Sequence, residues 1–279
     1  MPRISKKVKQ STEAAEKGDA EAQFDLGRRY YEGDGVMTNQ AESFNWFRKA
    51  GEQGHAEAQY RLAEFYKYGQ VAAINQTEAA KWFQKAAEQG HLLAQLGLGS
   101  AHFYGRGVTL DYTEAAKWYG KAAEQGNAMA QFLFGNCCDF GKGVTPNKSE
   151  AARWYGKAAE QEHFIAQYRI GLCYVNGEGV PKDIHCGAMW LRKVAEQGDV
   201  QAQLELGKCC PDRDEGVMWL REAAAQGNLE AQLRVYRAYA HGDDVMKNAA
   251  EAEKWRETIM KEHGLDANML EPVFAWKDL

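Results

Sequence analysis

The sequence predicts an all-α protein, an α-solenoid of seven two-helix repeats with a cap at each end. Three observations carry this. A ten-residue phrase, KWFQKAAEQG at Lys81–Gly90, returns as KWYGKAAEQG at Lys117–Gly126 and nearly again as RWYGKAAEQE at Arg153–Glu162. A glutamine recurs as Gln23, Gln59, Gln95, Gln131, Gln167, Gln203 and Gln232, in steps of 36 residues five times and then 29. A tryptophan recurs as Trp46, Trp82, Trp118, Trp154, Trp190, Trp219 and Trp255, in steps of 36 four times, then 29, then 36. Both rulers place one seven-residue deletion between Gln203 and Trp219, within CCPDRDEG.

The elements follow in order. Residues 1–17 make half a unit, an N-terminal capping helix: STEAAEKG matches the end of the second phrase but lacks the tryptophan. The repeats then run 18–53, 54–89, 90–125, 126–161, 162–197, 198–226 and 227–262. The third shows the internal plan. Ala94, Leu98 and Gly99 lie at helical spacing. Gly105, with Gly107 next but one, supplies the left-handed conformation that ends a helix. TLDYTEAA then gives turn residues before a second helix with the stripe Ala115, Trp118, Tyr119 and Ala122, ending at Gly126. Small residues recur where helices would cross, as Gly27, Gly99, Gly135, Gly171 and Gly207. Large Trp and Tyr side chains are expected to fill the adjoining holes. One helix pair cannot bury its own apolar face, whereas stacked pairs share a continuous core. Residues 263–279 depart from the pattern and are expected to cap the far end.

Composition sets the function classes. Apolar residues make up 45% and charged residues 26%, ordinary for a folded chain in water. The net charge of -5 argues against nucleic-acid binding, which calls for a basic face. MPRISKKVKQ is basic with no apolar run after it, so it does not read as a secretory signal. No run of residues has the length of a membrane span. A cytoplasmic location is expected.

The unit reads A-x-A-Q-x-x-L-G-x-x-Y-x-x-G-x-G-V and then E-A-A-x-W-Y-x-K-A-A-E-Q-G. It stands as AEAQFDLGRRYYEGDGV in the first repeat, and as AMAQFLFGNCCDFGKGV followed by EAARWYGKAAEQ in the fourth. This resembles the Sel-one-like repeat family, a relative of the tetratricopeptide repeat, over about residues 10–262. The resemblance implies a right-handed superhelix that acts as a scaffold or adaptor, binding other proteins on a concave face. Three places depart from the pattern: YGQVAAINQ replaces the G-x-G-V turn in repeat two, repeat six is short, and repeat seven carries Tyr236 for glycine and HGDDVMKN in its loop.

Most recurrent polar residues read as structure. The seven glutamines suit buried amides that satisfy nearby backbone groups. Glu42, Glu78, Glu114, Glu150, Glu215 and Glu251 open second helices, where a carboxylate favours the helix dipole. Cys137, Cys173 and Cys209 share one position, Cys138 and Cys210 the next, and Cys186 stands alone. Some secreted relatives carry a disulfide within each repeat. Here the second helices lack matching cysteines, and no C-x-x-C spacing suggests a metal, so small buried thiols are expected. His55, His91 and His163 share a turn position that suits solvated or capping rings. No cofactor or metal is implied.

Function should lie where repeats stop agreeing. In each first helix the positions two, five and nine after the glutamine vary, and their spacing keeps them on one side. By the family analogy this side lines the groove. The candidate partner-binding residues there are Arg28, Arg61, Glu64, Tyr68, Tyr104, Asn136, Phe140, Arg169, Asn176, Arg234 and Arg237. Aromatic and arginine side chains are the usual interface anchors, so a partner segment of acidic character is expected. The loops of repeats two and six form the second candidate surface. The expected function is a monomeric, non-catalytic adaptor, in signalling, in assembly or as an immunity protein that masks a toxin. The alternatives are a hydrolase of esterase or β-lactamase type carried on the repeats, and a self-assembling rod. No nucleophile motif, phosphate loop or carboxylate pair supports the hydrolase. Uncapped solenoid ends expose apolar faces. Deleting 265–279, with Leu265, Met269, Leu270, Phe274 and Trp276, is therefore expected to lower the melting temperature or solubility. A truncated chain that melts and dissolves like the full one would refute that cap.

Overall fold

The computed structural model describes residues 12–71, 73–242 and 245–264. All regular structure in them is helical, without a strand. Helix α1 is described over 12–16. The first helices of the repeats are α2 (Ala20–Glu32), α4 (Ala56–Tyr68), α6 (Leu92–Tyr104), α8 (Ala128–Phe140), α10 (Phe164–Asn176), α12 (Val200–Cys209) and α14 (Leu229–Arg237). The second helices are α3 (Gln40–Glu52), α5 (Gln76–Glu88), α7 (Tyr112–Glu124), α9 (Lys148–Glu160), α11 (Ile184–Ala195), α13 (Arg213–Ala225) and α15 (Ala249–His263). A π turn, Ala238–Gly242, follows α14. The expected end caps fall largely outside the described residues, including Leu265, Met269, Leu270, Phe274 and Trp276.

Each helix from α2 onward starts on a side-chain cap. Asp19, Asn127, Asp199 and Asn228 accept a backbone N–H at the head of first helices, and His55, His91 and His163 do so at the heads of α4, α6 and α10. Second helices are capped by Asn39, Asn75, Asp111, Asn147, Asp183, Asp212 and Asn248. Such caps satisfy N–H groups that a helix start leaves orphaned, each worth about 1 kcal/mol. The recurrent glutamates sit one turn into the second helices. There Glu78, Glu114 and Glu251 pair with the lysine three residues on, at 2.7, 2.9 and 2.6 Å.

The chain divides into two compact units, Met1–Pro146 and Asn147–Leu279. Within the first, helices α2 to α8 pack consecutively; within the second, α9 to α15 do the same. Close approach inside a pair rests on one small residue. A Cβ on Gly27 would lie 2.7 Å from the Phe47 ring, and one on Gly99 would lie 2.7 Å from the Tyr119 ring. Leu191 and Leu220 cover Gly171 and Gly207 in the same way, at 2.9 and 2.6 Å. In these four pairs the residue after the tryptophan fills the hole, not the tryptophan itself. Trp82, Trp118 and Trp154 are buried one step away, while Trp46, Trp190, Trp219 and Trp255 are half-buried. A lysine three residues on lies over the rings of Trp46, Trp82, Trp118, Trp154 and Trp190, at 3.8, 4.1, 4.3, 4.4 and 4.6 Å.

Successive pairs are joined by the glutamines. Gln23, Gln59 and Gln95 donate Nε2–H to the carbonyls of Ala15, Gly51 and Ala87, at 3.0, 2.9 and 3.2 Å. Gln131, Gln167, Gln203 and Gln232 repeat this toward Ala123, Ala159, Ala195 and Ala224. Each target belongs to the last turn of the preceding helix, where it also accepts the backbone N–H three residues on, as Gly51 does from Gly54 at 3.0 Å. A second glutamine closes the rung: Gln53, Gln89, Gln125 and Gln226 donate to Oε1 of Gln23, Gln59, Gln95 and Gln203, at 2.7, 2.7, 2.8 and 2.8 Å. At repeat five the rung is open. Gln197 donates to the Lys193 carbonyl instead, at 3.0 Å, and the buried Gln167 Oε1 has no partner.

The second glycine of the G-x-G turn makes another joint. Gly107 has φ +74°, and a Cβ there would fall 2.0 Å from the Gln76 carbonyl oxygen at the start of the preceding second helix. Repeat two has Val71 at this position, 39% exposed and outside the left-handed region. Repeat six loses the last turn of its first helix, so α12 ends at Cys209 and Asp212 already caps α13. In repeat seven Tyr236 takes the glycine position of α14, Arg256 takes the Phe47 position of α15, and the π turn follows.

Replacing Gln95 by Met removes two hydrogen bonds, the one it donates to the Ala87 carbonyl and the one it accepts from the Gln125 amide, and is expected to cost roughly 1–3 kcal/mol. Gln167→Met, whose Oε1 accepts nothing, is expected to cost less. Urea unfolding of both variants checks the order, and equal losses would refute the rung.

Candidate protein-binding surface

The varying positions of the first helices lie on their exposed sides, and each unit has its own set. In the first unit the face begins heavily charged and self-paired. On α2, Arg28 bonds Asp25 and Glu32 at 2.8 and 2.7 Å. On α4, Arg61 bonds Glu57 at 2.9 Å, and Glu64 lies 3.8 Å from Lys67. The His91 hydrogen bond, and then the Arg61 charge, hold the Glu57 carboxyl below its ordinary range. Charge then disappears. The same side of α6 shows Leu93, Gly97, Ser100 and Tyr104; that of α8 shows Met129, Leu133, Asn136 and Phe140. Tyr68, Tyr104 and Phe140 end their helices with 56%, 58% and 55% of their surface exposed. Leu93 and Met129 were not singled out by the sequence reading. They are 46% and 49% exposed, where repeats one and two carry Glu21 and Glu57. That change from glutamate to an apolar residue was the available signal.

In the second unit, α10 carries exposed Ile165 and Asn176 with half-buried Arg169 and Leu172. On α14 Arg234 bonds Glu230 at 3.1 Å, Lys208 of α12 reaches the same carboxylate at 3.3 Å, and Arg237 is half-buried. Arg28, Arg61 and Arg234 are thus engaged by carboxylates of their own helices, a cost to any partner that would claim them.

The other recurrent groups are accounted for by the fold. His55, His91 and His163 accept through Nδ1 from the N–H of Ala58, Ala94 and Ala166, at 3.2, 3.1 and 3.2 Å. An accepting Nδ1 is unprotonated, so Nε2 carries the hydrogen. In His55 and His91 it faces Glu21 and Glu57 of the preceding first helix, at 3.1 and 2.8 Å. These rings also stack on Phe24 and Tyr60, with centroids 4.4 and 4.7 Å apart. All six cysteines are free. The expectation that all are buried holds for Cys137 and Cys138; the other four are half-buried, Cys186, Cys209 and Cys210 of them at a helix start or end. Burial pushes the thiols of Cys137 and Cys209 up to about 12 and about 11. Among the described residues no group of three or more His, Cys, Asp or Glu is placed to hold a metal ion. Among them, too, no helix is long and apolar enough to cross a membrane.

A Sel1 repeat model matches residues 20–55, 56–91, 92–127, 128–163, 165–199, 200–228 and 230–255. The chain belongs to the Sel1 repeat family. A protective antigen present in uropathogenic Escherichia coli strains, displaying an SLR fold, is 33% identical with a TM-score of 0.74; the match covers 91% of this chain and 56% of that one. This Sel1 repeat chain thus spans little more than half the length of the antigen. A Sel1 repeat protein from Oxalobacter formigenes is 29% identical with a TM-score of 0.63, covering 95% of this chain and 78% of that one. No curated protein matches the sequence.

The histidine caps carry a pH consequence. Burial lowers the pKa of His163. A folded value below the unfolded one, near 6.5, means stability that is present above the unfolded pKa and lost as pH falls through the folded one. Between pH 7.5 and 5 the wild type is expected to lose more stability than His163→Asn, by up to about 1 kcal/mol, since Asn caps without titrating. Parallel curves of stability against pH for the two proteins would remove the histidine from the account.

Proposed function

We propose that this Sel1 repeat protein is a non-catalytic adaptor that holds a segment of a partner protein against the exposed side of its first helices. One observation carries the reading: Tyr68, Tyr104 and Phe140, at equivalent positions in three successive repeats, are each more than half exposed. Nothing in the pair packing requires an aromatic at a helix end facing water, and aromatic side chains are the usual anchors of protein interfaces. Arg28, Arg61, Glu64 and Asn136 stand on the same side of the first unit's first helices, and Arg169, Asn176, Arg234 and Arg237 are the corresponding candidates of the second unit. The protein acts as a cytoplasmic monomer. Its net charge of -5 disfavours a nucleic acid as the ligand.

The test is affinity capture from native cells with wild type beside Tyr104→Ala/Phe140→Ala, both checked for unchanged helical circular dichroism and melting. A protein held by wild type and lost from the variant is the expected result, and a toxin in that place would make the chain an immunity protein. A partner that stays on both moves the site to the loops of repeats two and six. No specific partner for either would overturn the adaptor reading.

A further inference from the structure

The exposed side of the first unit carries one place where two cations meet without their own helix neutralising both. Lys67 is the penultimate residue of α4, and Arg106 is the middle residue of the turn after α6. They share a small indentation, about 30 Å³, with Phe83, Gly97 and Ser100 among its walls. That is room for a group about the size of a carboxylate.

The local sequence explains why it is there. Gly107 seats its turn against the Gln76 carbonyl, which brings Arg106 back over the start of α5. Gly97 has no side chain, and a Cβ there would meet Phe83 at 2.9 Å, so the Phe83 ring forms part of the wall. Lys67 Nζ lies 4.6 Å from the Tyr68 ring centre and 5.9 Å from that of Phe83. The Arg106 guanidinium lies 4.8 Å from the Tyr104 ring centre. Each cation is therefore held beside an aromatic that is more than half exposed. Among the described residues Glu64 lies 3.8 Å from Lys67, too far for a tight contact, and Arg106 forms no ion pair.

This combination belongs to one joint of the unit. The positions equivalent to Lys67 are Tyr31 in repeat one, Phe103 in repeat three and Asp139 in repeat four; those equivalent to Arg106 are Asp34, Gln70 and Lys142. Only repeats two and three place a cation on both sides. In a chain of net charge -5, two such cations between exposed tyrosines have a field opposite to that of the protein as a whole.

We propose that this joint docks an acidic, partly apolar segment of the partner, with one Asp or Glu carboxylate seated between Lys67 and Arg106 and neighbouring apolar side chains laid on Tyr68 and Tyr104. The inference rests on the adaptor reading and names the chemistry its partner must present. It replaces the broader expectation that the arginines along the helices attract acidic residues, because Arg28, Arg61 and Arg234 already have carboxylate partners.

The probe is a library of random peptides displayed within a loop, so that both peptide ends are blocked, selected against the full chain. The expected winners carry Asp or Glu close to Leu, Phe or Tyr. A synthetic winner should bind Lys67→Glu/Arg106→Glu roughly tenfold or more weakly than wild type. Changing its carboxylate to Lys should restore binding to the reversed variant and abolish it with wild type. Both cations are at the surface, so unchanged melting of the variant is the control. Winners that bind wild type and variant equally, or that carry no acidic residue, overturn this site while leaving the adaptor reading in place. Winners from no part of the library would overturn both.

Discussion

A buried side-chain amide joins each repeat to the one before it. The carbonyl it reaches, in the last turn of the preceding helix, has no i+4 partner and takes a backbone N–H from three residues on, so a second acceptor site is open, and the next helix begins within four residues. Glutamine has two properties that suit the gap. Its side chain is long enough to reach from the first turn of the new helix to the last turn of the old one. Its amide can donate to that carbonyl while accepting from the glutamine that arrives 30 residues later, as at Gln59 with Gly51 and Gln89. Glutamate would face a carbonyl with a negative charge, and leucine would remove both side-chain bonds of the rung. The rung tolerates a change of length between the helices: repeat six, seven residues shorter, still brings Gln226 to Gln203 at 2.8 Å.

Where the constraint relaxes, other interactions take over. At repeat five α11 ends at Ala195, Gln197 turns to its own helix, and Gln167 is left with an orphaned oxygen. The next repeat is the shortened one. Its Glu215 has Met218 three residues on, where Glu78, Glu114, Glu150 and Glu251 have a lysine or arginine. The carboxylate instead takes Arg192 of the preceding second helix through two bonds, at 2.7 and 2.8 Å, and receives the Trp219 indole N–H at 3.1 Å. Arg192 first, and then Trp219, hold Glu215 below the ordinary carboxylate range. The amide rung between repeats four and five is thus incomplete, while repeats five and six keep theirs and add a bidentate ion pair between their second helices.

Much of this was legible in the sequence because repetition turns one chain into seven aligned copies. A residue that recurs at a fixed place must answer a fixed local need, so the glutamines, the turn-opening histidines and the small residues at the helix crossings could be assigned to structure. The partner of each was harder to see. Nothing in the spacing says whether Trp118 or Tyr119 covers Gly99, since the two are adjacent and both large; the ring over the glycine is Tyr119. The second glycine of the turn was read as part of a helix stop, yet Gly107 is fixed by the carbonyl of another repeat, a contact 31 residues back that no local rule contains. The arginines were misjudged for a different reason. Glu57 with Arg61 and Glu230 with Arg234 stand at i and i+4, a readable signal for helix ion pairs.

That pairing changes which surface is chemically available. A carboxylate and a cation on one helix satisfy each other in water, and a partner gains little by separating them, because an exposed pair is worth at most about 1 kcal/mol while its separation must be compensated by contacts of better geometry. Such a face is solvated rather than adhesive. The first helices of repeats three and four lack those charges, with uncharged residues, Leu93, Gly97, Ser100, Met129, Leu133 and Asn136, at the positions where the earlier helices keep their ion pairs. The structural residues of these repeats are unchanged, so the loss of charge has no counterpart in the packing of the helix pairs. An apolar surface retained at equivalent positions of adjacent repeats, without a role in holding the repeats together, is the physical signature of a face shaped by something outside the chain.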